Sequence, residues 1–192
     1  CVSYSGQCLM SSMIGGRSGN RGRCAQPCRM LYSIVDKEDN LVHDWDKRYV
    51  LSPKDLNTIE HLDEIIDSGI TSLKIEGRMK RPEYVATIVS NYRKVLDKGL
   101  DVLSDDDKKD ITQIFNREFT KGIILDDFGK RFISFDRPDN RGTVLGYVSR
   151  VDKYKVYIML QEDVEKGDGI ELSLKNGGYK GLKVPVDGKK GT

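Results

Sequence analysis

The chain has 192 residues, and 32 Lys+Arg against 30 Asp+Glu leave a formal net charge of only +2, which excludes a uniformly basic, histone-like binder. With 38% hydrophobic and 32% charged residues it reads as a soluble folded chain, and no run approaches the ~18 apolar residues of a membrane span. The opening CVSYSGQCLMSSMIGG is polar and lacks a basic start, so it does not read as a signal peptide. There is no initiator Met, and the first residue is a cysteine that belongs to a motif, so a fragment lacking its N-terminal part is expected.

Cys1, Cys8, Cys24 and Cys28 all lie in the first 28 residues, and the rest of the chain has no cysteine. A disulfide framework would staple a whole small domain. Thiols clustered at one end point instead to a metal or cluster site in a reducing compartment, and the expected localisation is cytoplasmic. The spacing C-x6-C-x15-C-x3-C lacks the paired C-x2-C of zinc ribbons. Irregular loop spacing suits a [4Fe–4S] cube, in which each iron takes one protein sulfur, and Pro27 beside Cys28 fits that reading. Zinc and structural or free thiols stay open as alternatives. Between the cysteines, GGRSGNRGR holds four glycines in nine residues and reads as a loop. Arg17, Arg21, Arg23 and Arg29 give this end a charge of +4, with no acid before Asp36.

From residue 31 a strand–helix rhythm is predicted. Residues 31–35 and 49–51 read as short strands. Ser52-Pro53-Lys54-Asp55 then supplies an N-cap Ser, a Pro at the first helical position and an acid at the third. The helix it opens places Leu56, Ile59, Leu62, Ile65 and Ile66 on one face and stops at Gly69. Residues 72–76 read as the next strand. Pro82 opens a second helix with an apolar stripe of Val85, Ile88, Val89, Tyr92, Val95 and Leu96, ending at Gly99. Ser104 and Asp107 form a capping box for a short helix to about Asn116. Residues 143–151, 155–160 and 170–174 then read as antiparallel strands, with a further turn at Lys175-Asn176-Gly177-Gly178 and a Gly/Lys-rich tail.

Alternating strands and amphipathic helices imply parallel βα units, and two or three of them cannot close a sheet alone. The expected fold is α/β. Residues 1–103 would hold the Cys-rich loop and the C-terminal part of a TIM-like (β/α) barrel whose N-terminal half is missing. Residues 104–138 would form a helix and connecting segment, and 139–192 a small antiparallel β-barrel domain, itself truncated.

The segments CVSYSGQCLMSSMIGGRSGNRGRCAQPCR, LSPKDLNTIEHLDEIIDSGI, SLKIEGRMKRPEYVA and FNREFTKG together resemble the U32 peptidase family. Within it they are most similar to bacterial members linked to 5-hydroxylation of the wobble uridine in tRNA. The resemblance implies a TIM-like barrel followed by a small β-barrel and a [4Fe–4S] cluster on Cys1, Cys8, Cys24 and Cys28. It further implies tRNA as partner, with prephenate as the hydroxyl source; no membrane and no partner protein is indicated. The family name offers a peptidase as the alternative, and a zinc- or cluster-stabilised RNA- or protein-binding module is a second. The chain holds only two histidines, His43 and His61, and neither H-E-x-x-H nor G-x-S-x-G.

Along residues 72–76, Leu73 and Ile75 share one face and Lys74 and Glu76 the other, with Gly77 and Arg78 following. Charged groups at the end of a barrel strand sit where barrel enzymes do their chemistry, so Lys74, Glu76 and Arg78 are the candidate catalytic residues. An ion pair holding the strand end is the bland alternative. Lys80 and Arg81 precede the Pro82 helix, where backbone donors and the dipole favour anions. With Arg17, Arg21, Arg23 and Arg29 they are the candidate RNA-binding set, and Tyr4 and Tyr32 are candidates for base stacking.

Overall fold

The structure, a computed structural model, describes residues 3, 7–43, 48–77 and 80–192. It falls into two compact units, Cys1–Gly142 and Thr143–Thr192. Among the described residues, no helix is long and apolar enough to cross a membrane.

In the first unit the elements are α1 (Met10–Gly15), β1 (Asp55–Leu56), α2 (Leu62–Asp67), α3 (Pro82–Lys98), α4 (Asp105–Ile114) and β2 (Phe119–Thr120). The core is built where α2, α3 and α4 meet. Ile59, Leu62, Ile88, Val95 and Ile111 are buried together, with Ile75, Tyr92, Leu96 and Phe119 packed against them. Pro82 occupies the first turn of α3 as expected, and Gly99, at φ 84°, ends it in a conformation open to glycine. The apolar stripe is narrower than the sequence suggests. Ile88 and Val95 are buried, whereas Val85 and Val89 are exposed. At 100° per residue Val85 and Val89 lie on the flank of the stripe, and the opposite flank is taken by Asn91, whose amide donates to the Thr87 carbonyl at 2.9 Å. The capping box of α4 forms as expected: the Asp107 N–H donates to Ser104 Oγ at 3.1 Å and the Ser104 N–H to Asp107 Oδ2 at 2.8 Å.

The first helix starts later than its capping signal. Residues 52–57 are extended, not helical, because their backbone is engaged by the segment after α4. Ser52 and Pro53 are fully buried. The Ser134 N–H donates to the Ser52 carbonyl at 2.8 Å, and Lys54, Asp55 and Asn57 each donate 2.9 Å bonds to the carbonyls of Phe132, Glu118 and Thr120. Asp55–Leu56 thereby pairs in parallel with Phe119–Thr120. A single 3-10 turn at Ile59–His61 then leads into α2. Leu56, assigned to the helix's apolar face, is exposed.

The expected strands at 31–35 and 49–51 reduce to isolated antiparallel bridges, Tyr32 with Arg48 and Val35 with Leu41. Between the latter two, Asp36 Oδ1 accepts from the Glu38 and Asn40 N–H groups at 2.9 Å each and closes a turn. Residues 72–76 form no ladder with any described strand, so they are an extended segment rather than a strand. Among the described residues the sheets are three pairs, one parallel and two antiparallel.

The second unit contains two antiparallel hairpins, β3 (Gly146–Val151) with β4 (Val156–Leu160), and β5 (Gly169–Ser173) with β6 (Tyr179–Lys183). The turn at residues 174–178 closes with the Leu174 N–H donating to the Gly178 carbonyl at 2.8 Å. Strand β6 lies where the sequence suggested only a tail. A Cβ on Gly146 would stand 2.1 Å from the Met159 carbonyl oxygen, so the first pairing of β3 with β4 requires glycine. Val164 and Val184 are the buried apolar residues of this unit.

Candidate functional site

The cysteine loop is organised by small residues and backbone bonds. Helix α1 ends at Gly16, which takes φ 66°. Ser11 is buried, and its Oγ accepts the Ala25 N–H at 2.9 Å, tying the two ends of the glycine-rich stretch together. Within it, Arg17 Nε donates to the Arg23 carbonyl at 2.9 Å and the Arg23 N–H to the Ser18 carbonyl at 2.9 Å. A Cβ on Gly19 would lie 3.6 Å from Cys24 Cβ and 3.9 Å from the Cys8 carbonyl oxygen, so Cys8 and Cys24 flank this residue. The Gln26 N–H donates to Cys24 Sγ at 3.3 Å, and Gln26 itself adopts φ 56° to open the short turn Pro27–Arg29 that carries Cys28.

Cys8, Cys24 and Cys28 are free thiols. Burial pushes the Cys28 thiol up, Arg29 opposes this, and Cys24 and Cys8 each add to the rise, as neighbouring sulfurs must. Before Asp36 the charged residues of this loop are all arginines. Among the described residues no group of three His, Cys, Asp or Glu side chains could hold a metal ion. Cys1 lies outside the described residues, as does Tyr4.

Lys74 and Glu76 form an ion pair at 2.8 Å with side chains 72% and 67% exposed, on the side of the extended segment away from Ile75, which packs on the core. The alternation read from the sequence is present, and so is the ion pair. Arg78 lies outside the described residues. The six candidate RNA-binding cations divide. Arg17, Arg21, Arg23 and Arg81 are exposed, whereas Arg29 and Lys80 are half-buried. Tyr32 is turned to the backbone, its hydroxyl donating to the Pro27 carbonyl at 2.8 Å. His61 Nδ1 meets Glu64 Oε1 at 2.8 Å on the surface of α2.

Arg29 points inward. Its Nη1 donates to Ser52 Oγ at 2.6 Å and also to the Pro53 carbonyl, latching the cysteine loop onto the segment that becomes β1. Burial, then Arg117, lowers its pKa to about 10. Two residues beyond Pro53, Asp55 accepts from the Arg117 N–H at 2.9 Å and from Arg117 Nε at 3.0 and 3.2 Å, with Nη2 adding a further bond. The two side chains are only 17% and 21% exposed. The Arg117 guanidinium lies 5.2 Å from the Phe115 ring centre, and the Lys80 ammonium sits over the same ring and 5.7 Å from that of Tyr84. Burial, then Arg117, pulls the Lys80 pKa down to about 8, with Asp55 opposing and Arg29 adding. The sequence makes Asp55 a helix-start acid rather than a site residue and singles out neither Phe115 nor Arg117. The signal was there in the motif segments LSPKDLN and FNREFTKG, but a separation of 62 residues hides the pair.

Comparison with known proteins places the chain. The family model described as Peptidase family U32 matches residues 1–132. The chain belongs to peptidase family U32. This U32 chain is 46% identical over 101 residues to tRNA hydroxylation protein P1 of Bacillus subtilis, covering 50% of the chain and 24% of that protein. It is 33% identical over 189 residues to the 23S rRNA 5-hydroxycytidine C2501 synthase of Escherichia coli, covering 91% of the chain and 28% of the relative. It is also 36% identical over 130 residues to a collagenase of Porphyromonas gingivalis, covering 65% and 31%. The chain thus spans about a quarter to a third of the length of these curated relatives. No solved structure gives a significant match. The four cysteines, Arg29, Asp55, Lys80 and Arg117 all fall inside the stretch matched to the U32 model.

Proposed function

We propose that this U32 chain is the thiol-bearing portion of an enzyme that hydroxylates a base in RNA, uridine in tRNA, and that it acts in the cytoplasm. Cys1, Cys8, Cys24 and Cys28 would hold a [4Fe–4S] cluster, which supplies one-electron chemistry when bound. Prephenate would be the source of the hydroxyl group. The surrounding βα segment would form part of a TIM-like barrel, for which the parallel pairing of β1 and β2 is the supporting contact. The observation that carries the reading is the loop that bears Cys8, Cys24 and Cys28, with arginine as its only charged residue type, in a chain resembling two named RNA-hydroxylating proteins. The chain's own residues would bind and orient the RNA: Arg17, Arg21, Arg23 and Arg81 are exposed cations for backbone phosphates. Lys74, Glu76 and Arg78 would orient the base or move a proton at the Glu76 carboxylate.

The test is mass spectrometry of tRNA and rRNA nucleosides from a deletion strain, complemented with wild-type and single Cys→Ala genes. Loss of one hydroxylated pyrimidine, restored by wild type only, is expected, together with about four irons per chain in anaerobically purified full-length protein. Unchanged nucleosides would refute the function, and zinc in place of iron would refute the cluster. Glu76→Gln should abolish hydroxylation with iron content and fold retained. If it only lowers stability, the Lys74–Glu76 pair is structural.

The resemblance to the collagenase favours a second reading, a peptidase. Cleavage of gelatin by the purified full-length protein, lost in a Glu76→Gln variant that still supports hydroxylation in cells, would establish it.

A further inference from the structure

The cations beneath the cysteine loop outnumber the acid that faces them. Arg29, Lys80 and Arg117 surround Asp55, and Arg117 saturates that carboxylate through its backbone N–H, Nε and Nη2. Arg29 spends Nη1 on two neutral oxygens, Ser52 Oγ and the Pro53 carbonyl. Lys80 has aromatic rings beside it, Phe115 and Tyr84, and its ammonium makes no ion pair among the described residues. Three positive charges therefore meet one carboxylate in a half-buried place, with the Cys28 thiol also facing Arg29.

Half-burial is costly for like charges unless an anion joins them. The donors left over are Lys80 Nζ, Arg117 Nη1 and the Nε and Nη2 of Arg29. They are not sealed off. Arg29 and Lys80 are half-buried and the Arg117 side chain is 17% exposed, so each side chain keeps part of its surface in solvent. Their placement is fixed from below. Lys80 and Arg117 share the Phe115 ring, and Arg29 is held on the carbonyl two residues before Asp55.

We propose that Lys80, Arg117 and Arg29 form a binding site for one phosphate group, with Asp55 holding the Arg117 guanidinium in position. Two guanidinium edges and one ammonium offer donors to several oxygens at once, which suits the tetrahedral phosphate better than a planar carboxylate. Its source can be a phosphodiester of the RNA substrate, which rests on the function proposed above, or a free phosphate. Burial first, then Arg117, depresses the Lys80 pKa, and a bound dianion would offset the second of these.

The experiment uses the full-length protein and three forms: wild type, Lys80→Gln and Lys80→Arg. Binding of a labelled single-stranded RNA decamer is followed by fluorescence anisotropy from 50 to 300 mM KCl. Thermal stability is measured with and without 20 mM inorganic phosphate at matched ionic strength. Lys80→Gln should weaken RNA binding about five- to tenfold and reduce the slope of log K against log salt by about 0.7, the loss of one single-strand phosphate contact. It should also abolish the rise in melting temperature given by phosphate, and Lys80→Arg should keep both properties. Loss of the phosphate effect alone, with RNA binding intact, supports the site with a free phosphate as its occupant. A Lys80→Gln protein that keeps the salt slope and the phosphate effect overturns the proposal, even if RNA hydroxylation is confirmed. Conversely, a phosphate effect lost in Lys80→Gln from a protein that hydroxylates no RNA keeps the site and refutes the function.

Discussion

The Asp55–Arg117 pair lends itself to a quantitative test. Asp55→Asn keeps the shape of the side chain and removes its charge. Arg117 is then left beside Arg29 and Lys80 with no carboxylate to offset it. Removing one partner of a fully buried pair costs about 3–5 kcal/mol, and with side chains 17% and 21% exposed part of that is relieved by water, so about 2–3 kcal/mol is expected here. Urea unfolding of the intact protein reads this directly: with m near 2 kcal/mol/M, the midpoint should fall by about 1 M. The change also removes an acceptor of the Arg117 N–H, so the single variant alone cannot separate charge from backbone bonding. A double-mutant cycle with Arg117→Gln does so. Because Arg117→Gln also removes the repulsion from Arg29 and Lys80, the double variant should be more stable than the sum of the singles, with a coupling of about 1–2 kcal/mol. A coupling below about 0.5 kcal/mol would show that the two side chains act independently, and the account of a held guanidinium would fall.

Two further outcomes follow from ionisation. Asp107 is held down to about 2 from an ordinary 3.8 by Lys94, with Ser104 adding side-chain and backbone bonds. A depressed carboxylate contributes stability above its unfolded pKa and loses it as pH falls from about 4 toward 2; Asp107→Asn should therefore flatten the acid limb of the pH–stability curve there. Ser104→Ala should cost about 1 kcal/mol through loss of the cap, measured by the same urea titration at pH 7. Lys80 gives a slope of the same sign at the alkaline end. With its folded pKa lowered to about 8 from 10.5 by burial and Arg117, and by Arg29 against Asp55, stability should rise with pH between those values, and Lys80→Gln should remove that rise. The Tyr84 phenol and the Cys28 thiol, both raised by burial, oppose this rise at alkaline pH, so the difference between wild type and Lys80→Gln is what isolates Lys80.

What the sequence made legible was local. The Pro82 start and Gly99 stop of α3, the Ser104 capping box and the hairpin turns of the second unit each depend on residues within a turn or two of one another. The helix start at Ser52 failed because the same Ser-Pro-Lys-Asp string serves a tertiary purpose: Pro53 bridges Ile133 and Asp55 takes Arg117. The strand expected at residues 72–76 failed for a related reason, since an extended segment becomes a strand only through ladder partners. At the site, the Lys74–Glu76 alternation was readable from spacing. The inward turn of Arg29 was not, because one loop arginine looks like its neighbours until Ser52 and Pro53 are brought beneath it.

The parallel contact between β1 and β2 closes a long stretch of chain, since Asp55 and Arg117 stand 62 residues apart. Between them, α3 and α4 are neighbours in the chain and pack on each other through contacts of shorter range. Loop-closure entropy is spent only when the two short strands meet, after the helices have already brought their ends near each other. Order of assembly and order of opening are then linked. The place where Arg29, Asp55, Lys80 and Arg117 come together is therefore expected to form after the helical core of Ile88, Val95 and Ile111 and to open before it.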